Sequence, residues 1–437
     1  MATTFPKQGV PRSELFKKLK DLKANDAHWR EGRTFSLVYF AGDDVSQVAK
    51  DAYSELIATN ALSPFAFPSL QQMESEVVGA CGDLFHGGES CRGTLTSGGT
   101  ESILMAMKTA RDWGRSERKI DRPEVVAPIT VHPAFEKAAH YLDLTIRHAP
   151  VDAGFRADVA EMEKLITPNT VMLIGSAMPY PHGVVDPIEQ IAALAKSKGL
   201  LCHVDACLGG FILPFARKLG RDIPKFDFEV DGVSSLSADL HKYGYAAKGA
   251  SVVLYRDAEL RKHQFFTYAS WPGGLYVSPS MMGTRPGGAI ASAWAVMNYL
   301  GEEGYLAKAK VLLDTTDRLI AGVKKIDGLK MHGAPHASVF SFGSDVIDIY
   351  ALGDAMEARG WKLDRQHNPP ALHLMVTPAH EHVVAPLLAD LSECVSAMKK
   401  GGAADEGAAA FYGLATRMEA GEAAGYLRDF LDGLYQP

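Results

Sequence analysis

The sequence predicts an α/β protein of the doubly wound kind, with a smaller α+β lobe behind it. Its 437 residues exceed what one hydrophobic core usually fills. Short apolar runs alternate with helix-like segments from Thr94 to Tyr255. After Gly287 a long helical stretch leads into a second, shorter alternation. With 47% hydrophobic and 22% charged residues, the chain has the composition of a soluble globular protein.

Residues 12–31 form a charged amphipathic helix candidate, with Leu15, Leu19 and Leu22 at helical spacing, suited to a structural or dimer-embracing arm. A β-like run over 35–39, a helix over 45–57, a proline-interrupted loop over 60–68 and a helix over 71–85 follow. Strands are expected over 124–127, 145–150, 171–176, 201–204, 233–236 and 251–255, and helices over 100–113, 134–141, 158–166 and 187–198. Beyond residue 287, helix is expected towards 305–326, then alternation through 339–342, 346–358, 371–376 and 383–398, a connector over 401–407 and a last helix over 418–434. The resulting division is an N-terminal segment 1–60, a large domain 61–300 and a small domain 301–437.

A net charge of −7 gives no support to nucleic-acid or anionic-membrane binding through bulk charge. Five scattered cysteines fit reduced thiols of a cytoplasmic protein better than a disulfide framework. No window holds the eighteen or so consecutive apolar residues of a spanning helix, and none at the N-terminus resembles a signal peptide.

The stretch Ser237-Ala-Asp-Leu-His-Lys-Tyr-Gly-Tyr-Ala-Ala-Lys-Gly-Ala-Ser251 places Lys242 on a polar loop between two β-like runs. With His241 and Lys248 beside it, burial and positive charge are expected to lower the amine's pKa. A neutral amine is what a carbonyl group needs for a Schiff base. Thr96-Ser-Gly-Gly-Thr-Glu-Ser102 opens a helix, and its paired glycines let backbone amides approach an anion; plain capping by Ser97 or Thr100 is the bland reading. No Ser/Thr-x-x-Glu capping box is evident there. Asp205 ends the run 201–204, at the edge where α/β proteins bind ligands. His132 and His182 also follow strand-like runs, so one rim carries imidazole and carboxylate together. A metal site from Cys202, His203, Asp205 and Cys207 is a poor reading, since neighbouring strand residues point to opposite faces.

In this order, these motifs resemble a fold-type I pyridoxal-phosphate enzyme, and most closely the sphingosine-1-phosphate lyases, relatives of the group II amino-acid decarboxylases. The shared text includes Thr-Ser-Gly-Gly-Thr-Glu-Ser-Ile-Leu-Met-Ala from Thr96, His-Val-Asp-Ala-Cys-Leu-Gly-Gly-Phe from His203, His-Lys-Tyr-Gly-Tyr-Ala-Ala-Lys-Gly from His241, Trp271-Pro-Gly-Gly-Leu-Tyr-Val-Ser-Pro279 and Arg285-Pro-Gly-Gly288. The resemblance implies a large domain with a mostly parallel seven-stranded sheet, a small C-terminal α+β domain, and a homodimer with shared active sites. It makes Lys242 the Schiff-base lysine for pyridoxal 5'-phosphate and Asp205 the partner of the pyridine nitrogen. His132 would stack on the ring, and His182 would lie near its face or phenolic oxygen. Gly99, Thr100 and His241 would hold the cofactor phosphate, with Thr284 reaching in from the other subunit where the family usually has serine. Tyr39, Asn60, Lys248, Tyr276 and Tyr412 match positions used around the substrate.

The implied reaction is retro-aldol cleavage of a phosphorylated long-chain base to an aldehyde and phosphoethanolamine, with Lys248, Tyr39 and Tyr276 as proton carriers or phosphate ligands. The family loop Asn-x-Leu-His-x-Asp-x-Phe-Pro departs here to Asn60-Ala-Leu-Ser63-Pro-Phe65-Ala-Phe67-Pro68, which leaves phosphate recognition to Ser63 and Lys248. The alternatives are an amino-acid decarboxylase on the same scaffold and a catalytically silent cofactor- or lipid-binding regulator. The membrane anchor of the family's eukaryotic members has no counterpart in this sequence, so any membrane contact is expected to be peripheral.

Overall fold

The computed structural model of the chain describes residues 5–63, 65–401 and 420–435. Helices α1 (Arg12–Leu22), α2 (Asp43–Glu55) and α3 (Pro68–Leu84) lead into strand β1 (Arg92–Thr96) and helix α4 (Gly99–Glu117). Alternation continues through β2 (Glu124–Pro128), α5 (Ala134–Leu142), β3 (Thr145–Ala149), α6 (Val159–Lys164), β4 (Thr170–Ser176), α7 (Ile188–Ser197), β5 (Leu201–Asp205), α8 (Leu213–Lys218) and β6 (Ser235–Ala238). Then come β7 (Ser251–Tyr255), α9 (Ala258–Lys262), the pair β8 (Phe266–Tyr268) and β9 (Tyr276–Ser278), and the long α10 (Gly287–Val323). The chain continues as β10 (Lys330–His332), β11 (Val339–Gly343), α11 (Ile349–Ala358), β12 (Asp364–His367), β13 (Pro370–Met375), α12 (Val384–Lys399) and α13 (Ala420–Leu434).

Strands β1 to β7 make one sheet in the order β1-β7-β6-β5-β4-β2-β3. Five of them pair in parallel, while β7 runs antiparallel between β1 and β6. Helices cover both faces, so the central strand β4, Thr-Val-Met-Leu-Ile-Gly-Ser, is buried at every position and reads as a continuous apolar run. Parallel pairing of β4, β5 and β6 brings their carboxyl ends to one edge, where Ser176 lies opposite Asp205 and Asp205 opposite Ser237.

The small domain is an antiparallel sheet, β10-β11-β13-β12, packed against α11 and α12 around Phe340, Phe342, Trp361 and Leu372. The end of α10 contributes Leu319 and Val323 to this core, and the N-terminal segment contributes Phe35. Helix α10 is interrupted at Gly301, whose φ of 54° and ψ of −175° are not helical. Among the described residues, no helix is long and apolar enough to cross a membrane.

Several elements differ from expectation. The helix expected over 12–31 stops at Leu22, where Lys23 and Ala24 fold back on Lys20 and Asp21, and only a 3-10 turn forms at Trp29–Glu31. The run 35–39 is not a strand: Leu37 has a φ of 65°, and Phe35 instead bonds singly to Lys362 and Met375. Strand β1 carries a glycine and short polar residues, so it shows no strand pattern; it exists because β7 pairs with it along its whole length. The strand expected over 233–236 lies two residues further on, which puts Asp239 immediately after its end. Neither β8–β10 nor β12 was anticipated; each is short and defined by its partner strand.

Candidate active site

The ends of β4, β5 and β6 open into a cavity of about 230 Å³, walled by Tyr39, His132, Met178, Tyr180, Asp205, Cys207, His241, Lys242 and Lys248. Hollows of about 520 and 580 Å³ lie elsewhere. Their charged groups include rim side chains paired with one another, Lys196 with Asp231 and Lys218 with Glu302. The cavity of about 230 Å³ gathers a sheltered lysine and a carboxylate at the ends of parallel strands, the position where this architecture binds ligands.

Lys242 is presented by the turn after β6. Its Nζ lies 3.0 Å from Oδ2 of Asp239, a carboxylate with 1% of its side chain exposed. Asp205 accepts from the Cys207 amide at 3.0 Å and from the Ser237 hydroxyl at 3.3 Å, so one of its oxygens is fixed and the group faces the cavity. His241 accepts from the amides of Gly249 and Ala250 through Nδ1 (3.3 and 3.2 Å), which leaves Nε2 directed to Asp239 at 3.6 Å. His132 is oriented in the same way, its Nδ1 accepting from the Ala134 amide at 3.1 Å. Lys248 donates to the His241 carbonyl at 3.2 Å and sits 4.8 Å from the centre of the Tyr39 ring, which packs edge-on against Tyr243.

The amines behave differently from the sequence expectation. Burial pulls the Lys242 pKa down, but Asp239, Cys207 and Asp205 overcome it, and the amine is held above its ordinary value. The expectation of an easily deprotonated Lys242 is therefore corrected for the cofactor-free chain: a carboxylate three residues earlier outweighs the neighbouring cations. The depressed amine is Lys248, brought to about 8 by burial and then by repulsion from Lys242. Burial also lowers His132 and His241.

Helix α4 supplies the anion-binding end. Its first-turn amides have no partner within the helix and point outward, as at any helix start. A Cβ on Gly98 would lie 3.1 Å from the His241 ring, and one on Gly99 would lie 2.7 Å from Asp239 and 2.9 Å from the Cys207 sulfur. The cradle therefore needs both glycines. Glu101, in the first turn, accepts from the Ser97 amide at 2.6 Å and from Met281 and Met282 at 2.8 and 3.0 Å. No capping box forms, as the sequence suggested: the N-cap is Gly98, and Glu101 instead takes the amide of the residue before it.

The structure gathers Tyr39, His132, Asp205, His241, Lys242 and Lys248 at this cavity, with Gly99 beside Cys207 and Asp239 at the start of α4; Thr100, next on the helix, is exposed and outside the cavity lining. It does not bring His182 there. The turn from Pro179 to Gly183 delivers Met178, Pro179 and Tyr180 to the cavity and carries His182 past it. Buried against Phe155, His182 lies 3.3 Å from the Ser341 hydroxyl of β11. Asn60, Ser63, Tyr276 and Thr284 also stand outside the cavity of their own chain. The loops carrying three of them are tied together: Asn60 bridges Pro286, Ala61 bonds Arg285 at 2.9 Å, and Gly283 adjoins the Tyr276 hydroxyl. Tyr412 lies outside the described residues. Asp239 and Cys207 were missed by the sequence reading; the available signal was an aspartate three residues before a loop lysine, the spacing that pairs charges across one turn.

The cavity accepts a group with an anionic end, an aldehyde and a ring nitrogen. The cradle at Gly98 and Gly99 meets the first, Lys242 the second and the Asp205 carboxylate the third, while Oδ1 of Asp239 is buried without a hydrogen-bond partner among the described residues. Fold and cavity together define an enzyme of the pyridoxal-phosphate type.

Comparison with known proteins agrees. The family described as "Pyridoxal-dependent decarboxylase conserved domain" matches residues 3–343. The sphingosine-1-phosphate lyase of Dictyostelium discoideum is 41% identical over 99% of this chain and 82% of its own length. That of Arabidopsis thaliana is 43% identical over 97% and 79%. The structure of the sphingosine-1-phosphate lyase of Burkholderia pseudomallei superimposes with a TM-score of 0.92 at 37% identity, covering 100% of this chain and 98% of the other. Glutamate decarboxylase of Lactobacillus brevis, at 19% identity and a TM-score of 0.80 over 92% and 96% of the two chains, shares the fold. The chain belongs to the pyridoxal-dependent decarboxylase family and, within it, to the sphingosine-1-phosphate lyases.

Proposed function

We propose that this chain cleaves the bond between the amine-bearing and hydroxyl-bearing carbons of a phosphorylated long-chain base, yielding a long-chain aldehyde and phosphoethanolamine. The observation that carries the reading is the convergence of Lys242, Asp205 and the α4 cradle in one cavity of a chain with this kinship. Bound pyridoxal phosphate supplies the electron sink for the pair released when the carbon–carbon bond breaks.

The chain's residues do the rest. Lys242 would tether pyridoxal phosphate. Asp205 would keep a proton on its ring nitrogen, the condition under which the ring withdraws electrons. His132 would cover the ring, and Gly99, Thr100 and His241 would hold the phosphate. Lys248 is placed to take the hydroxyl proton, and Tyr39, in contact with it, to relay that proton as a neutral hydroxyl. With its pKa brought to about 8, Lys248 is a stronger candidate for a proton carrier at neutral pH than an ordinary lysine.

The site is completed by a second copy. Asn60, Ser63, Tyr276 and Thr284 lie outside their own chain's cavity among exposed apolar side chains, Leu62, Phe65, Leu275 and Val277. A homodimer that seats this face over the partner's cavity hides those side chains and supplies the four residues in trans. A cytoplasmic location accords with the composition.

Product analysis tests the reaction. Incubation of the holoenzyme with a phosphorylated sphingoid base should release aldehyde and phosphoethanolamine in equal amounts. Carbon dioxide from tyrosine or glutamate, with no aldehyde from the base, would overturn the reading in favour of a decarboxylase.

A further inference from the structure

We propose that Asp239 is a positioning residue for Lys242: an internal anion at the amino end of α4 that holds the lysine charged over the cradle until an incoming anion takes that place. This rests on Lys242 being the lysine that joins the cofactor.

The carboxylate is in an unusual position. It is 2% exposed and stands at the end of a central strand. One oxygen is 3.0 Å from the Lys242 ammonium, and both lie within 2.9 Å of where a Cβ on Gly99 would be. Among the described residues the other oxygen, Oδ1, meets no donor in hydrogen-bonding geometry, and the nearby Ser251 hydroxyl bonds the Ala238 carbonyl at 3.1 Å. A buried carboxylate lacking one of its bonds is costly unless charge compensates it. The compensation comes from Lys242, from the His241 ring at 3.6 Å and from the positive end of the helix. A phosphate entering the cradle meets the same helix end and the same cations, so it competes with Asp239 for them.

The surroundings single out this carboxylate. Cys207 and Asp205 face Lys242 from the exit of β5, His241 and Lys248 from the β6–β7 loop, His132 from the exit of β2 and Tyr39 from the N-terminal segment. Burial keeps the Cys207 thiol and the Tyr39 hydroxyl neutral. Among the described residues only Asp239 forms an ion pair with Lys242. Imine formation requires Nζ to lose a proton, bond to the aldehyde carbon and release one water, so the partner that holds this proton governs when the bond can form.

Cofactor-free protein and pyridoxal, which carries the aldehyde but no phosphate, provide the test. Imine absorbance is followed against pH, then reduced with borohydride, and the labelled lysine is located by peptide mapping. In the wild type, the midpoint should lie above the ordinary lysine value of about 10.4. Asp239→Asn should move it down by at least about one unit, which raises the imine fraction near neutral pH about tenfold. Label at Lys242 with coincident midpoints overturns this proposal alone. No label at Lys242 in either protein overturns it together with the reading on which it rests. Should the variant fail to fold, the wild-type midpoint decides: a value at or below that of an ordinary lysine refutes the role.

Discussion

Lys242 and Lys248 are six residues apart on one loop, yet their amines are pushed in opposite directions: at Lys242 the carboxylates, Asp239 foremost, outweigh burial, while burial and then repulsion from Lys242 lower Lys248. The sign for Lys248 is fixed: it carries charge below about pH 8 and loses it above. If its ammonium contacts the substrate phosphate, KM should rise as pH passes through about 8, while Lys248→Arg should hold KM flat beyond pH 9 because a guanidinium stays charged. A KM profile in the arginine variant that bends at the same pH would assign the break to another group. The lysine and its glycine-flanked loop were legible in the sequence. The direction of its pKa was not, since the deciding carboxylate acts through a turn whose shape the sequence pattern does not specify.

At the scale of elements, the start of α4 is the proposed cofactor-phosphate end of the site. Gly99 has a negative φ, so its role is the missing side chain rather than a special backbone conformation: the Asp239 carboxylate and the Cys207 sulfur fill the space. Gly99→Ala should therefore weaken pyridoxal-phosphate binding by about 5- to 160-fold, matching overpacking of about 1–3 kcal/mol, as read by absorbance titration. Unchanged affinity would show that the cradle can yield. The glycine pair and the helix that follows it were readable from residue types and apolar spacing. Strand β1, directly before it, was not readable, because its residues have no preference that survives without β7 beside them.

Across the whole molecule, buried histidines link the two lobes and the N-terminal segment. His182 reaches Ser341, His373 donates through Nε2 to the Tyr180 carbonyl at 2.8 Å, and His380 donates to the Thr34 carbonyl at 3.0 Å and stacks on Phe35. Burial holds all three at about 4. Above the unfolded value near 6.5 both states are neutral there; between about 6.5 and 4 the unfolded chain takes up protons that the fold refuses. Stability should thus fall with pH through that window, by at most ~1.4 kcal/mol per unit for each histidine. Melting temperatures between pH 7 and 4 check this, and a flat profile would refute it.

The proposed dimer makes a prediction at the same scale. Mixing inactive Lys242→Ala with an inactive Tyr276 or Thr284 variant should restore up to about a quarter of the activity, since shared interfaces pair one intact set of residues in some mixed dimers. No recovery after subunit exchange would place each site within one chain.

By itself the sequence determined the alternating α/β plan, the helix-start glycines, and the lysine and aspartate at the ends of adjoining strands, because each of these is encoded by local residue type and period. Tertiary structure alone decided that His182 turns away from the cavity, that Asp239 rather than the neighbouring cations governs Lys242, and that Phe35 belongs to the small-domain core. The reason is common to all three: which neighbour a side chain meets depends on turns and on segments far off in the chain, and electrostatics and packing act over ångströms of space rather than positions in sequence.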